Sequence, residues 1–199
     1  MSIFVKICGL RNAGDVKAAV AAGADAVGFV FAESVRRVTP ADALKASRYL
    51  PGRVRRVAVM RHPADSEWQQ VLEMFAPDVL QTDVEDFDSL DVPDGVERWP
   101  VIREGHPAID EELPAVFLYE GVRSGQGQTV DWQRASEIAK RGKMILAGGL
   151  GVDNVATAIR TVDPYGVDVS SAVESRPGIK DPQLIRLFIS AARAVETHA

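Results

Sequence analysis

Val5-Lys6-Ile7-Cys8-Gly9-Leu10 is the stretch on which the reading of this chain turns. A short apolar run with β-branched residues reads as a strand. It ends on the only cysteine in the protein, and a glycine follows at once. In a barrel of parallel strands, a reactive side chain at the C-terminal end of a strand points into the mouth where chemistry is done. Cys8 is therefore expected at such a mouth, with a proton to move.

Outward from that strand the pattern repeats. Apolar runs at 25–31, 54–60, 77–82, 96–102, 115–119, 143–147 and 167–170 read as seven further strands. Helical patterns fall between them at 15–22, 41–50, 65–75, 131–141 and 154–160, with a closing helix at 181–195. The segments 83–91 and 105–113 allow only abbreviated helices. Gly23 stops the first helix. Thr39 caps the second ahead of Pro40, and Asp131 caps the one after strand six. Pro100 weakens strand five, because proline cannot donate to a ladder. Eight strand-then-helix units predict an α/β fold, a small (β/α)8 TIM barrel formed as one domain from residues 1–199. An open, doubly wound parallel sheet is the second choice. It is disfavoured by the count of eight and by the lack of a Gly-x-Gly-x-x-Gly turn after strand one.

Bulk properties narrow the function. The 199 residues carry a net charge of -5, which gives no reason to expect nucleic acid or an anionic membrane as partner. A single cysteine excludes an intramolecular disulfide and fits the cytoplasm. There is neither a signal-peptide pattern nor a membrane-spanning run. No apolar surface stripe stands out, so a monomer is expected. In eight-stranded barrels the loops after strands seven and eight often cradle a phosphate. Here they contain Gly148-Gly149-Leu150-Gly151 and Ser170-Ser171-Ala172. Successive N–H groups of such loops form an anion nest, and serine hydroxyls add donors. Each loop alone is explained by chain turning; the two together point to a phosphate ester. Lys6 lies two residues before Cys8 and on the same face of the strand. Closure of strand eight on strand one would bring Asp168 near Lys6. Lys6 is expected to bias Cys8 toward thiolate, with Asp168 orienting Lys6 or a sugar hydroxyl; a purely structural Lys6–Asp168 pair is an equal alternative.

The strings VKICGL (5–10), DAVGFVF (25–31), LAGGL (146–150), NVATAI (154–159) and GVDVSSAVE (166–174) resemble the phosphoribosylanthranilate isomerase family in order and spacing. The resemblance implies a barrel that uses no metal or organic cofactor. It also implies an Amadori rearrangement of N-(5-phosphoribosyl)anthranilate in tryptophan biosynthesis. An acid protonates the ribose ring oxygen, and a base removes the C2 proton. By resemblance Cys8 is the base, and Arg36, in Ser34-Val35-Arg36-Arg37, holds the anthranilate carboxylate. Gly149, Leu150, Gly151, Ser170, Ser171 and Ala172 would hold the phosphate. The chain departs from the family pattern in four places. Glu120 stands for the aspartate acid after strand six. Asp83 replaces a histidine after strand four. Ser124-Gly125-Gln126-Gly127 replaces a Gly-Gly-Thr-Gly loop, and Ala172 replaces a glycine. Two other readings stay open: a histidine-pathway aminoaldose isomerase, alone or as a second activity, and a barrel that binds a phosphosugar without turning it over.

Overall fold

The computed structural model describes residues 2–109, 112–122 and 129–195. Eight parallel strands close a barrel in sequence order: β1 (Phe4–Cys8), β2 (Ala26–Val30), β3 (Arg55–Val59), β4 (Val79–Asp83), β5 (Glu97–Arg103), β6 (Val116–Glu120), β7 (Lys143–Leu146) and β8 (Gly166–Val169). Pairing of β1 with β8, Lys6 opposite Asp168, rules out the open sheet. Around the described part of the barrel lie α1 (Ala13–Ala22), α2 (Pro40–Ala46), α3 (Asp65–Phe75), α4 (Trp132–Ala139), α5 (Val155–Val162) and α6 (Pro182–Arg193). After β4 and β5 the helix is reduced to a 3₁₀ turn, Val84–Asp88 and Pro107–Ile109. A small antiparallel hairpin, β9 (Glu174–Arg176) with β10 (Ile179–Lys180), sits between β8 and α6. The sequence pattern gave no sign of it, because two- and three-residue strands carry no periodicity.

Local chemistry sets the helix ends. The side chains of Asn12, Thr39, Asp131 and Asp181 each accept from backbone N–H groups in the first turn of α1, α2, α4 and α6. These caps satisfy donors that a helix start otherwise leaves orphaned. Helix α3 buries Trp68, Val71 and Phe75 on one stripe, and Phe75 packs edge-on against Phe29 with ring centroids 5.2 Å apart. Pro100 is accommodated for a geometric reason. Glu97 donates to the Asp78 carbonyl on the β4 side. Ladder donors alternate along a strand, so the Pro100 nitrogen faces β6, whose pairing with β5 begins only at Val101.

Two apolar layers hold the fold. The larger lies between the sheet and the helices; the smaller fills the barrel and includes Val57, Val79, Trp99, Leu118 and Ile145. Phe4 meets Trp99 edge-on inside, at 5.7 Å. This packing plugs the N-terminal end of the barrel. Strand alternation then puts Lys6 and Cys8 of β1, Gln81 and Asp83 of β4, Arg103 of β5, Glu120 of β6 and Asp168 of β8 on the inner face above the plug. At the outer rim, Arg193 of α6 donates to the Ile3 carbonyl, the Ser2 hydroxyl, the Gly23 carbonyl and Asp25.

Candidate active site

Lys6 and Asp168 form a buried ion pair, with Nζ 2.8 Å from Oδ1. Lys6 is completely buried, and the Asp168 side chain is 11% exposed. Burial works against the Lys6 charge, but Asp168 and Cys8 outweigh it and hold the ammonium above its ordinary value. Cys8 faces Gly28 of β2. A Cβ on Gly28 would lie 3.1 Å from the Cys8 sulfur and 3.2 Å from Lys6 Cε, so the thiol and the lysine pack against the same bare backbone. Gly9 is bare for a similar reason: its φ is +76°, and a Cβ there would lie 2.6 Å from Arg36 Cδ. Lys6 acts on Cys8 in the expected direction, toward the thiolate, but it does not act alone. Burial raises the thiol's pKa, and Lys6 and Lys180 pull it down by less. A buried sulfur anion loses more hydration than the two cations return, so the net direction is upward.

The two loops expected to hold phosphate do lie side by side, with Gly151 against the Ala172 methyl. Their donors are only partly available. The Gly151 N–H is taken by Asn154 Oδ1 at 2.8 Å, while Asn154 Nδ2 donates to the Gly149 carbonyl at 2.9 Å. Leu150 points into the core. The Ser170 hydroxyl donates to the Cys8 carbonyl at 3.2 Å. Gly151 and Ser170 therefore shape the cup rather than offer those donors. The exposed Ser171 and Ala172 head a 3₁₀ turn, Ser171–Val173, where leading N–H groups have no partner inside the turn.

Arg36 stands beside this cup, with its guanidinium already engaged. Nε and Nη2 bond the two oxygens of Glu174 at 2.7 and 2.9 Å. The fully buried Lys180 side chain donates to Glu174 at 2.7 Å and to the Ser170 carbonyl at 2.9 Å. Burial opposes the Glu174 charge, but Arg36, Lys180 and the Gly178 N–H overcome it and hold its pKa at about 2. An Arg36 whose whole fork awaits a ligand carboxylate is thus not what the structure contains, because Glu174 takes Nε and Nη2.

Glu120 is inside the mouth, its side chain 16% exposed. Arg103 Nη1 lies 2.5 Å from Glu120 Oε1, and Arg103 Nη2 lies 2.5 Å from Asp83 Oδ1. Asp83 is nearly fully buried, and its other oxygen faces His62 Nε2 at 3.4 Å and Arg61 Nε at 3.8 Å. His62, with φ at +45°, is fixed by Asp86, which accepts from its N–H at 3.0 Å and meets Nδ1 at 2.8 Å. The hydrogen bond to Asp86 raises the His62 pKa. His62, Asp83 and Asp86 gather donor atoms within 4.8 Å of one another. Two guanidiniums already answer the Asp83 charge, so the cluster suits an ion-pair network better than a metal. Gln81 Oε1 is buried on the same inner strand face without a hydrogen-bond partner among the described residues.

Sequence reasoning missed Arg103, His62, Glu174 and Lys180 as site residues. A charged residue closing an apolar strand, as Arg103 does, is the same signal that singled out Cys8. Nothing local marks the other three: His62 and Glu174 meet Asp86 and Arg36 from separate segments, and Lys180 reaches Glu174 only through the short hairpin. The loop Ser124-Gly125-Gln126-Gly127 lies outside the described residues.

Comparison with known proteins gives a consistent answer. The family model described as N-(5'phosphoribosyl)anthranilate (PRA) isomerase matches residues 5–191. The N-(5'-phosphoribosyl)anthranilate isomerase of Listeria welshimeri is 38% identical over 207 residues, covering 98% of this chain and 100% of the relative. The crystal structure of phosphoribosyl anthranilate isomerase from Thermotoga maritima superposes with a TM-score of 0.86 at 31% identity, covering 97% of this chain and 100% of that one. A second such structure, in complex with reduced 1-(o-carboxyphenylamino)-1-deoxyribulose 5-phosphate, gives 0.84 at 30% identity, with 97% and 100% covered.

Proposed function

This chain belongs to the N-(5'-phosphoribosyl)anthranilate isomerase family and is an isomerase of tryptophan biosynthesis, and on that premise we propose that Cys8 is its base and Glu120 its acid. The relatives favour neither a histidine-pathway aminoaldose isomerase nor a non-catalytic barrel. The substrate is a small phosphosugar carrying an anthranilate group. In our reading its phosphate rests on Ser171 and Ala172, in the cup formed with Gly149, Leu150, Gly151 and Ser170. Its carboxylate meets the Nη1 edge of Arg36. The sugar lies between the thiol and the carboxyl.

Glu120 gives its proton to the ribose ring oxygen, and the C1–O bond opens to a protonated Schiff base. Cys8 as thiolate removes the C2 proton, and the electron pair moves to form the enolamine. Tautomerisation gives the ketone. Each turnover takes one proton from Glu120 and leaves one on Cys8, so the cycle closes when a proton passes back from the thiol to the carboxylate. No net proton uptake is needed; the proton must only change holder.

One observation carries the assignment. Cys8 and Glu120 end strands three places apart by one way round the ring and five by the other, both on the inner face. That is the disposition an acid and a base need to reach opposite sides of one sugar. The reading supports one protein domain acting in the cytoplasm. The test is alkylation of the lone thiol and the Glu120→Gln variant, assayed on N-(5-phosphoribosyl)anthranilate. Each should abolish turnover, and substrate should slow the alkylation. Full activity after stoichiometric labelling would remove Cys8 as the base, and wild-type turnover in Glu120→Gln would remove Glu120 as the acid.

A further inference from the structure

Two residues that break the family pattern, Asp83 and Glu120, are joined through a third. Arg103 grips Asp83 with one terminal nitrogen and Glu120 with the other. The strand register explains why they can meet. Arg103 pairs opposite Glu120 between β5 and β6, and Asp83 pairs opposite Val101 between β4 and β5. All lie on the inner face, so one long side chain on the middle strand reaches both neighbours.

A glutamate carries one methylene and one rotatable bond more than an aspartate. Unbraced, its carboxyl spreads over several rotamers, and few of them suit proton donation to a fixed sugar oxygen. A planar guanidinium held from its other side by a buried carboxylate removes that freedom. Asp83, 3% exposed, is in turn faced by His62 and Arg61, and His62 is locked by Asp86. The links run Asp86, His62, Asp83, Arg103, Glu120, from the turn after β4 to the proposed acid.

We infer that Arg103 is a positioning residue for Glu120 and that Asp83 holds Arg103 in the place where it can act. The inference rests on Glu120 being the acid. A group that only stabilised the rim would affect folding and leave the chemical step alone. A group that held the substrate carboxylate would act on KM. A brace on the acid acts on kcat.

The test is steady-state kinetics of full-length Arg103→Met, Arg103→Lys, Asp83→Asn and the Arg103→Met/Asp83→Asn double variant, with Glu120→Gln as reference and thermal melts as folding controls. Arg103→Met should lower kcat on the order of tenfold to a hundredfold, the cost of misplacing a reacting group by about 1 Å, with KM little changed. Arg103→Lys should recover part of the loss. The double variant should be no slower than Arg103→Met alone, because Asp83 acts through the arginine. Wild-type kcat in Arg103→Met, beside an inactive Glu120→Gln, overturns the inference and leaves the acid assignment standing. A raised KM with unchanged kcat overturns it in favour of a substrate anchor. Activity in Glu120→Gln removes the acid assignment, and the inference falls with it. Should Arg103→Met fail to fold, the folded Arg103→Lys and Asp83→Asn proteins decide: reduced kcat at constant KM supports the brace, and unchanged kcat in both refutes it.

Discussion

Replacing Lys6 by methionine isolates the pair at the heart of the barrel. Methionine has nearly the length and bulk of lysine, so no large cavity opens. What is lost is the ammonium, 2.8 Å from Asp168 Oδ1. Lys6 has no exposure and the Asp168 side chain only 11%, so water does little to solvate the orphaned carboxylate. Removing one partner of such a pair costs about 3–5 kcal/mol, a large share of the ~5–15 kcal/mol that holds a domain of this kind. The sign with pH is fixed by direction. The folded-state pKa of Lys6 is raised, so its contribution is full below the unfolded value of 10.5 and fades as pH rises through the folded one. The gap between wild type and variant should therefore be flat across neutral pH and close only in strong base. Urea unfolding, followed by the fluorescence of the three tryptophans, measures it. Adding Asp168→Asn should return part of the loss, since no charge is then left unpaired. A loss below ~1 kcal/mol, the worth of a surface bridge, would refute the account of Lys6 as a buried charge that needs its partner.

Two further predictions concern neighbours of the thiol. Glu174, held at about 2 in the folded chain, should contribute stability above its ordinary value of 4.5 and lose it as pH falls from there toward 2; Glu174→Gln should be less stable at neutral pH and should flatten that acid limb, and an unaltered acid-unfolding curve would contradict this. Gly28→Ala would place a methyl 3.1 Å from the Cys8 sulfur and 3.3 Å from Cys8 Cα. It should cost about 1–3 kcal/mol by overpacking and depress turnover, whereas wild-type melting and kcat would show the crevice to be roomier than described.

The fold was largely legible because its signals are local. Caps at Thr39 and Asp131, the stop at Gly23 and the stripe of Trp68, Val71 and Phe75 all reside within a few residues. Closure was legible by counting strands. The site was legible only as far as strand ends carry it. Cys8 and Lys6–Asp168 follow from position and alternation, whereas Glu120 was marked only by the family resemblance. The engagement of Arg36 by Glu174 does not, since the two are 138 residues apart and joined through a hairpin without periodicity. Nor does the upward direction of the Cys8 pKa. A sequence displays Lys6 two residues away but not the depth of burial that outweighs it. The partnership of Asp83 with Arg103 is likewise hidden in the sequence, because ion pairing across strands depends on register, and register is a property of the closed ring.

Arg193 has a consequence for the order in which this protein can be made. It ties α6 to Ile3, the residue that leads into β1, close to the seam where Lys6 meets a partner 162 positions later in the chain. A growing polypeptide can shape its early β–α units while still on the ribosome, but the lysine and the sulfur inside strand one have no finished surroundings until strand eight arrives. Synthesis that stalls before that point leaves an unclosed ring with a cation facing the gap and a thiol open to oxidants. Vulnerability of the nascent chain is thus concentrated in β1, and relief comes only when β8, Gly166–Val169, has been made.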